Sequence, residues 1–148
     1  MDAPEHRQAS TLDETLADLL DCGLLAKHAQ WNVVGPRFAA MQALLGELAT
    51  WARTSADLVA ERAVTLGHSP DGRSATITTR SALPGMPDGV LRDDDAISAL
   101  VAILDVLATR LCSGMEAFER DLVTAALLTG VLATLEKYAW MLRAQRNP

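Results

Sequence analysis

The stretch Lys27-His28-Ala29-Gln30-Trp31-Asn32-Val33-Val34-Gly35-Pro36-Arg37-Phe38 stands between two long runs of helical periodicity and separates them at one point. Proline lacks the amide hydrogen that a helix interior needs, and glycine accepts the backbone angles that end a helix, so Gly35-Pro36 is a strong terminator. Upstream, Leu12, Leu16, Leu19, Leu20 and Leu24 recur at spacings of three and four, the one-sided pattern of an amphipathic helix. Ser10 or Thr11 reads as its N-cap, with Asp13 and Glu14 in the first turn, which places a helix over about 10–34. Downstream, a second run goes from Arg37 or Phe38 to Leu66 and ends at Gly67, giving a helix over about 38–66.

Beyond it, residues 68–92 are rich in glycine and proline, with Pro70, Pro84 and Pro87 among short polar pieces. A connection this long inside a small domain usually carries a short element of its own, and Ser74 to Ala82 has room for one or two helical turns. Asp93-Asp94-Asp95 reads as an N-cap followed by acidic residues matched to the helix dipole. The third helix is predicted over about 93–119, with Ile97, Leu100, Leu104, Leu107 and Leu111 on its inner stripe. The fourth runs over about 123–143 through Leu127, Val131, Leu135, Tyr138 and Leu142. The chain is therefore expected to be all-α, one domain over 1–148: a four-helix bundle with a short extra helix in the long connection between helices two and three. That single long crossover is the mark of ferritin-like bundles.

Composition agrees. Hydrophobic residues make up 49% of the 148 positions and charged residues 22%, a globular balance. Thirteen basic against nineteen acidic residues leave a formal charge of −6, so no chain-wide basic field attracts nucleic acid or anionic lipid. Cys22 and Cys112 stand far apart among apolar residues and read as two buried reduced thiols. No uninterrupted apolar run reaches membrane-spanning length, and the first ten residues lack the apolar core of a signal peptide. The expected location is cytoplasmic, nucleoid association being an open alternative.

Metal chemistry in such bundles usually shows a Glu-x-x-His step, and none of His6, His28 and His68 follows a Glu by three. A different arrangement lies on the second helix. At 100° per residue, Gln42, Gly46, Asp57 and Glu61 fall at about 0°, 40°, 60° and 100°, one stripe. Asp57 and Glu61 are a carboxylate pair four residues apart, able to grip a hard cation. The plainer alternative is a solvated acidic pair, or Glu61 paired with an arginine, because like charges at that spacing repel.

The stretch 27–38, followed by Asp57-Leu58-Val59-Ala60-Glu61-Arg62-Ala63-Val64-Thr65-Leu66-Gly67 and the ending Leu135-Glu136-Lys137-Tyr138-Ala139-Trp140-Met141-Leu142-Arg143-Ala144-Gln145, closely resembles the Dps family, the starvation-induced mini-ferritins. The resemblance covers nearly the whole chain. It implies a dodecameric shell that oxidises ferrous iron, typically with peroxide, and stores the ferric product. It also implies an oxidation centre shared across a two-fold axis. One subunit would supply two histidines and an acidic residue, and the other an Asp and a Glu.

Only half of that set is here. The positions matching the family's first histidine, second histidine and acidic residue read Gln30, Gln42 and Gly46, whereas Asp57 and Glu61 match. Glutamine offers no imidazole nitrogen and glycine no side chain, and Glu47 lies about 100° around the helix from Gly46. Trp31, beside the centre in the family, reads either as its neighbour or as a packing residue, and Trp51 and Trp140 as core or subunit-contact residues. The expected protein is a homo-oligomer with two-fold contacts whose iron is bound weakly or not at all at the usual centre, another divalent metal being possible there. Alternatives are a ferroxidase using Asp57, Glu61, Gln30 and Gln42 with water, a partner of an intact relative in a mixed shell, and a structural cage shielding DNA. Direct DNA binding is disfavoured, because the terminal segments carry too few basic residues for phosphate contacts.

Overall fold

Four long helices form two antiparallel pairs around a core of leucine and isoleucine in the computed structural model, which describes residues 3–146. The elements in chain order are α1 Ala3–Asn32, β1 Val33–Val34, α2 Phe38–Thr65, α3 Ser74–Arg80, β2 Leu91–Arg92, α4 Asp93–Met115, a 3₁₀ turn Glu116–Phe118, and α5 Leu122–Ala144. The apolar stripes meet as expected. Leu12, Leu16 and Leu19 of α1 and Leu45 and Leu48 of α2 close on Ile97, Leu100, Leu104 and Leu107 of α4 and Leu128, Leu135 and Leu142 of α5. Each such side chain contributes about 2 kcal/mol on leaving water.

The first helix begins at Ala3, well before the Ser10 or Thr11 expected as its cap. Its opening turns are mostly exposed and carry no apolar stripe. A distant segment holds them: Gln8 Nε2 donates to the Ala117 carbonyl at 2.9 Å and Arg7 reaches Glu116 at 3.3 Å. At its other end α1 stops at Asn32, and Val33–Val34 leave the expected helix to pair in parallel with Leu91–Arg92.

The start of α4 also differs from expectation. Arg92 is the N-cap, without a side-chain bond, and Asp93 lies inside the first turn, where it is buried. Its Oδ1 accepts from the Asp94 amide and its Oδ2 from the Arg37 amide, both at 2.9 Å. Gly35, at φ +130°, leaves room for this carboxylate, since a Cβ there would stand 2.7 Å from Asp93 Cγ. The Arg37 amide and guanidinium, outweighing the cost of burial, hold the Asp93 carboxyl below the usual range. The helix ends at Met115 and not near 119. Asp121 caps α5 by accepting from the Thr124 amide at 3.0 Å, and Arg62 of α2 holds it from the other side at 3.1 Å.

The long connection is strapped to α1. Arg80 of α3 pairs with Asp13 at 3.0 Å, the Ala82 amide donates to Asp18 at 3.1 Å, and His28 Nε2 lies 3.0 Å from the Pro87 carbonyl. Asp18 is buried and takes Arg110 of α4 at 2.6 Å. Burial pushes its carboxyl up, against the opposing pull of the Ala82 amide and Arg110. Of the two thiols only Cys22 is buried, and burial pushes it up to about 12; Cys112 is exposed on α4, contrary to expectation.

Candidate functional site

The stripe runs along α2 from Gln42 to Glu61, and at its N-terminal end Gln42 and Gly46 share a hollow with Gln30 of α1 and Tyr138 of α5. At the N-terminal end of the stripe, Gln30 of α1 and Gln42 of α2 clasp each other. Gln30 Nε2 donates to the Gln42 backbone carbonyl at 2.9 Å, and Gln42 Nε2 donates to the Gln30 carbonyl. A carbonyl only accepts, so both amides must turn their nitrogens inward. That leaves Gln30 Oε1 pointing at the Lys27 ammonium, which donates to it at 2.7 Å and lies 5.8 Å from the centre of the Trp31 ring.

Gly46 belongs to the same arrangement. A Cβ at this position would stand 2.9 Å from Gln30 Nε2. The absence of a side chain at 46 therefore makes space for the amide clasp, which ties residues 30 and 46 to each other. This end of the stripe is a poor cation ligand. Both amide nitrogens are committed as donors, one amide oxygen is held by an ammonium, and a positive charge already stands beside it.

The other end is open. Asp57 and Glu61 are exposed, and among the described residues neither joins an ion pair within the chain. Arg62, next in sequence to Glu61, turns to Asp121 instead. Within one subunit the plainer alternative, a solvated acidic pair, describes them. Gly46 and Asp57 are eleven residues apart, about 16 Å along the axis, so the two ends cannot meet in one chain. Among the described residues, no three His, Cys, Asp or Glu side chains come together as a metal site.

Between the ends runs a groove of about 350 Å³ on the α1–α2 face, lined by Leu20, Leu24, Lys27, Gly46, Thr50 and Arg53. Leu24 is exposed here at 59%. Trp31 is 73% exposed, with the Lys27 ammonium over its ring. Trp51 rests on Tyr138 with ring centres 5.6 Å apart, and Trp140 faces outward. His28 is taken up by the Pro87 carbonyl. Glu47 is exposed beside the glutamine pair. Sequence reasoning missed Lys27; its place three residues before Gln30, on the same helical face, was the available signal.

Known proteins resemble the chain over most of its length. The ferritin-like domain family matches residues 9–147. The DNA protection during starvation protein 2 of Deinococcus radiodurans is 34% identical over 139 residues, spanning 93% of this chain but 58% of the relative's own length. The DNA protection during starvation protein of Mycolicibacterium smegmatis is 33% identical over 141 residues, 92% of this chain and 75% of the relative. Among solved structures, Dps92 from Deinococcus radiodurans superposes with a TM-score of 0.92 at 33% identity, covering 97% of this chain and 87% of that one. Dps from Microbacterium arborescens in the high iron form gives 0.91 at 26% identity, covering 98% and 95%.

Proposed function

The chain belongs to the Dps family of ferritin-like proteins, and on that premise we propose that it is the subunit of a homo-oligomeric, dodecameric shell for iron storage and stress protection whose usual two-fold oxidation centre is inactive. Support for the two-fold contact comes from the register of α2. In an antiparallel pair of α2 helices, Gln42 stands opposite Glu61 and Gly46 opposite Asp57 about one common centre, between Trp51 and Ala52. An isologous contact of this kind is what closed shells use. The exposed Leu24 gives it apolar surface to bury.

The glutamine clasp carries the proposal of inactivity. A ferrous ion brought to this place as substrate would meet two carboxylates from one subunit and, from the other, amide nitrogens already donating and the Lys27 ammonium. Two carboxylate residues bind a divalent ion loosely and leave it without the nitrogen donors that favour iron. Ferric mineral, where it forms, would then grow from iron oxidised without the centre. The test is the initial rate of ferrous oxidation by peroxide under anaerobic loading. The expected result is the rate in buffer alone; a rate like that of ordinary family members overturns the proposal.

A second reading rests on the exposed, intact Asp57 and Glu61: a mixed shell in which they complete the centre of an unaltered relative. Mixed particles on native mass spectrometry after co-expression support it, and strictly separate shells reject it. A cytoplasmic location fits either reading. Tight duplex binding is not part of the proposal, given the charge of −6 and the capture of Arg7 by Glu116.

A further inference from the structure

The α1–α2 face carries a charge pattern that the inactive centre does not by itself explain. Among the described residues, nine ion-pair contacts are made within the chain, and none uses Lys27, Arg53, Asp57 or Glu61. These four share one face. The positive group Lys27 sits at the glutamine end on the α1 side, with Glu47 exposed on the far side of that end beside Trp51 and Tyr138. Asp57 and, one turn on, Glu61 sit at the other end, and Arg53 lies between. A half-turn about the midpoint of α2 lays the positive end of one copy on the negative end of the next. The surface is complementary to itself.

We propose that Lys27 is a built-in replacement for the metal ion: its ammonium pairs with Asp57 and Glu61 of the partner subunit and ties the two-fold contact without any cation. This rests on the shell reading above and adds a role for the residues that reading leaves unpaired. Lys27 is already fixed for that role. Gln30 Oε1 holds it at 2.7 Å, and the Trp31 ring flanks it at 5.8 Å, so less side-chain freedom is lost on pairing. The glutamine clasp thus acts as a positioning device for a lysine. Each contact would contain two such ends, related by the axis. A divalent ion would then have to displace an ammonium to reach the same carboxylates.

The test is dissociation of the intact assembly, followed by sedimentation and native mass spectrometry over a range of salt. Close charge pairs at interfaces couple strongly. Lys27→Met is therefore expected to raise the dissociation constant of the two-fold contact about 10-fold and to flatten its salt dependence. Lys27→Glu is expected to raise it about 100-fold, and adding Asp57→Lys to that variant to recover most of the loss. Helicity by circular dichroism identifies a variant that fails to fold, and Lys27→Met, neutral and of similar length, then carries the test. Millimolar manganese(II) is expected to tighten the Lys27→Met assembly about 10-fold and leave the unaltered protein as it was. Assemblies whose dissociation and salt response ignore both lysine variants overturn the pairing and leave the shell reading standing. Manganese that tightens the unaltered protein equally, or fails to tighten Lys27→Met, overturns the replacement of a metal. A chain that stays monomeric overturns the shell reading and the pairing alike.

Discussion

Two sets of carboxylates in this chain have opposite surroundings. Asp18, Asp93 and Asp121 are each gripped by an arginine of another element, Arg110, Arg37 and Arg62 respectively, and each also accepts from a backbone amide. Asp57 and Glu61, exposed on α2, have no such partner among the described residues. The first set joins α1 to α4, the α1–α2 turn to α4, and α2 to α5. The difference teaches that acidic residues committed to the fold are neutralised inside the subunit, so the unneutralised ones mark what the subunit presents outward.

Removing an arginine from the first set tests that division most severely. Arg110→Met strands the buried Asp18, and the expected loss is about 2–3 kcal/mol, a fall of roughly 5–10 °C in a thermal melt. A loss near zero would break the comparison. Asp121→Ala deletes the α5 cap and frees Arg62, for an expected cost of about 1–2 kcal/mol in urea unfolding.

On the outer face the expected quantity is a coupling. Gly46→Ala gains helix propensity but drives the new Cβ into the Gln30 amide. In a Gln30→Ala background the same change should stabilise by about 1 kcal/mol, leaving a coupling of about 1 kcal/mol in the double-mutant cycle. Additive effects would show that 30 and 46 are independent. The smallest effect is expected at the exposed Arg7–Glu116 pair, where Arg7→Ala should change stability by less than about 0.5 kcal/mol.

Acid sharpens the contrast inside the first set. Asp93 and Asp121 titrate below the ordinary value of 3.8. For Asp121 the hydrogen bonds from Thr124 and Arg62 together outweigh burial, the largest single influence. Their stabilisation is present above that value and is lost as pH falls through the folded-state values. Asp18 works the other way. Its carboxyl titrates above 3.8, so protonation as the pH falls toward that value relieves a burial penalty and adds stability. Urea unfolding from pH 7 down to 3 should show a rise before the acid loss, and Asp18→Asn should abolish the rise.

The helices and their breaks were legible because Gly35-Pro36, Gly67 and the leucine spacings act locally. The short α3 was legible from the length of its connection. Long-range partners were not. The turns of α1 before Ser10 depend on Ala117 and Glu116, Asp93 left its expected cap position for the Arg37 amide, and Asp18 found Arg110. No spacing within a helix announces contacts 56 to 109 positions away. The stripe of Gln42, Gly46, Asp57 and Glu61 could be read from helical geometry. The clasp of Gln30 on Gln42 could not, since it depends on how closely two backbones approach.

The two-residue ladder between Val33–Val34 and Leu91–Arg92 also constrains the order of folding. It joins positions 58 apart, and closing a loop of that length costs about 3–4 kcal/mol of chain entropy against only a few hydrogen bonds. The α1–α2 hairpin, which closes over a handful of residues, can collapse first. The ladder can form only after α4 has docked, so it is the last latch to shut and the first to open. Amide protons at Leu91 and Arg92 should exchange with solvent well before those at Leu45 or Leu104.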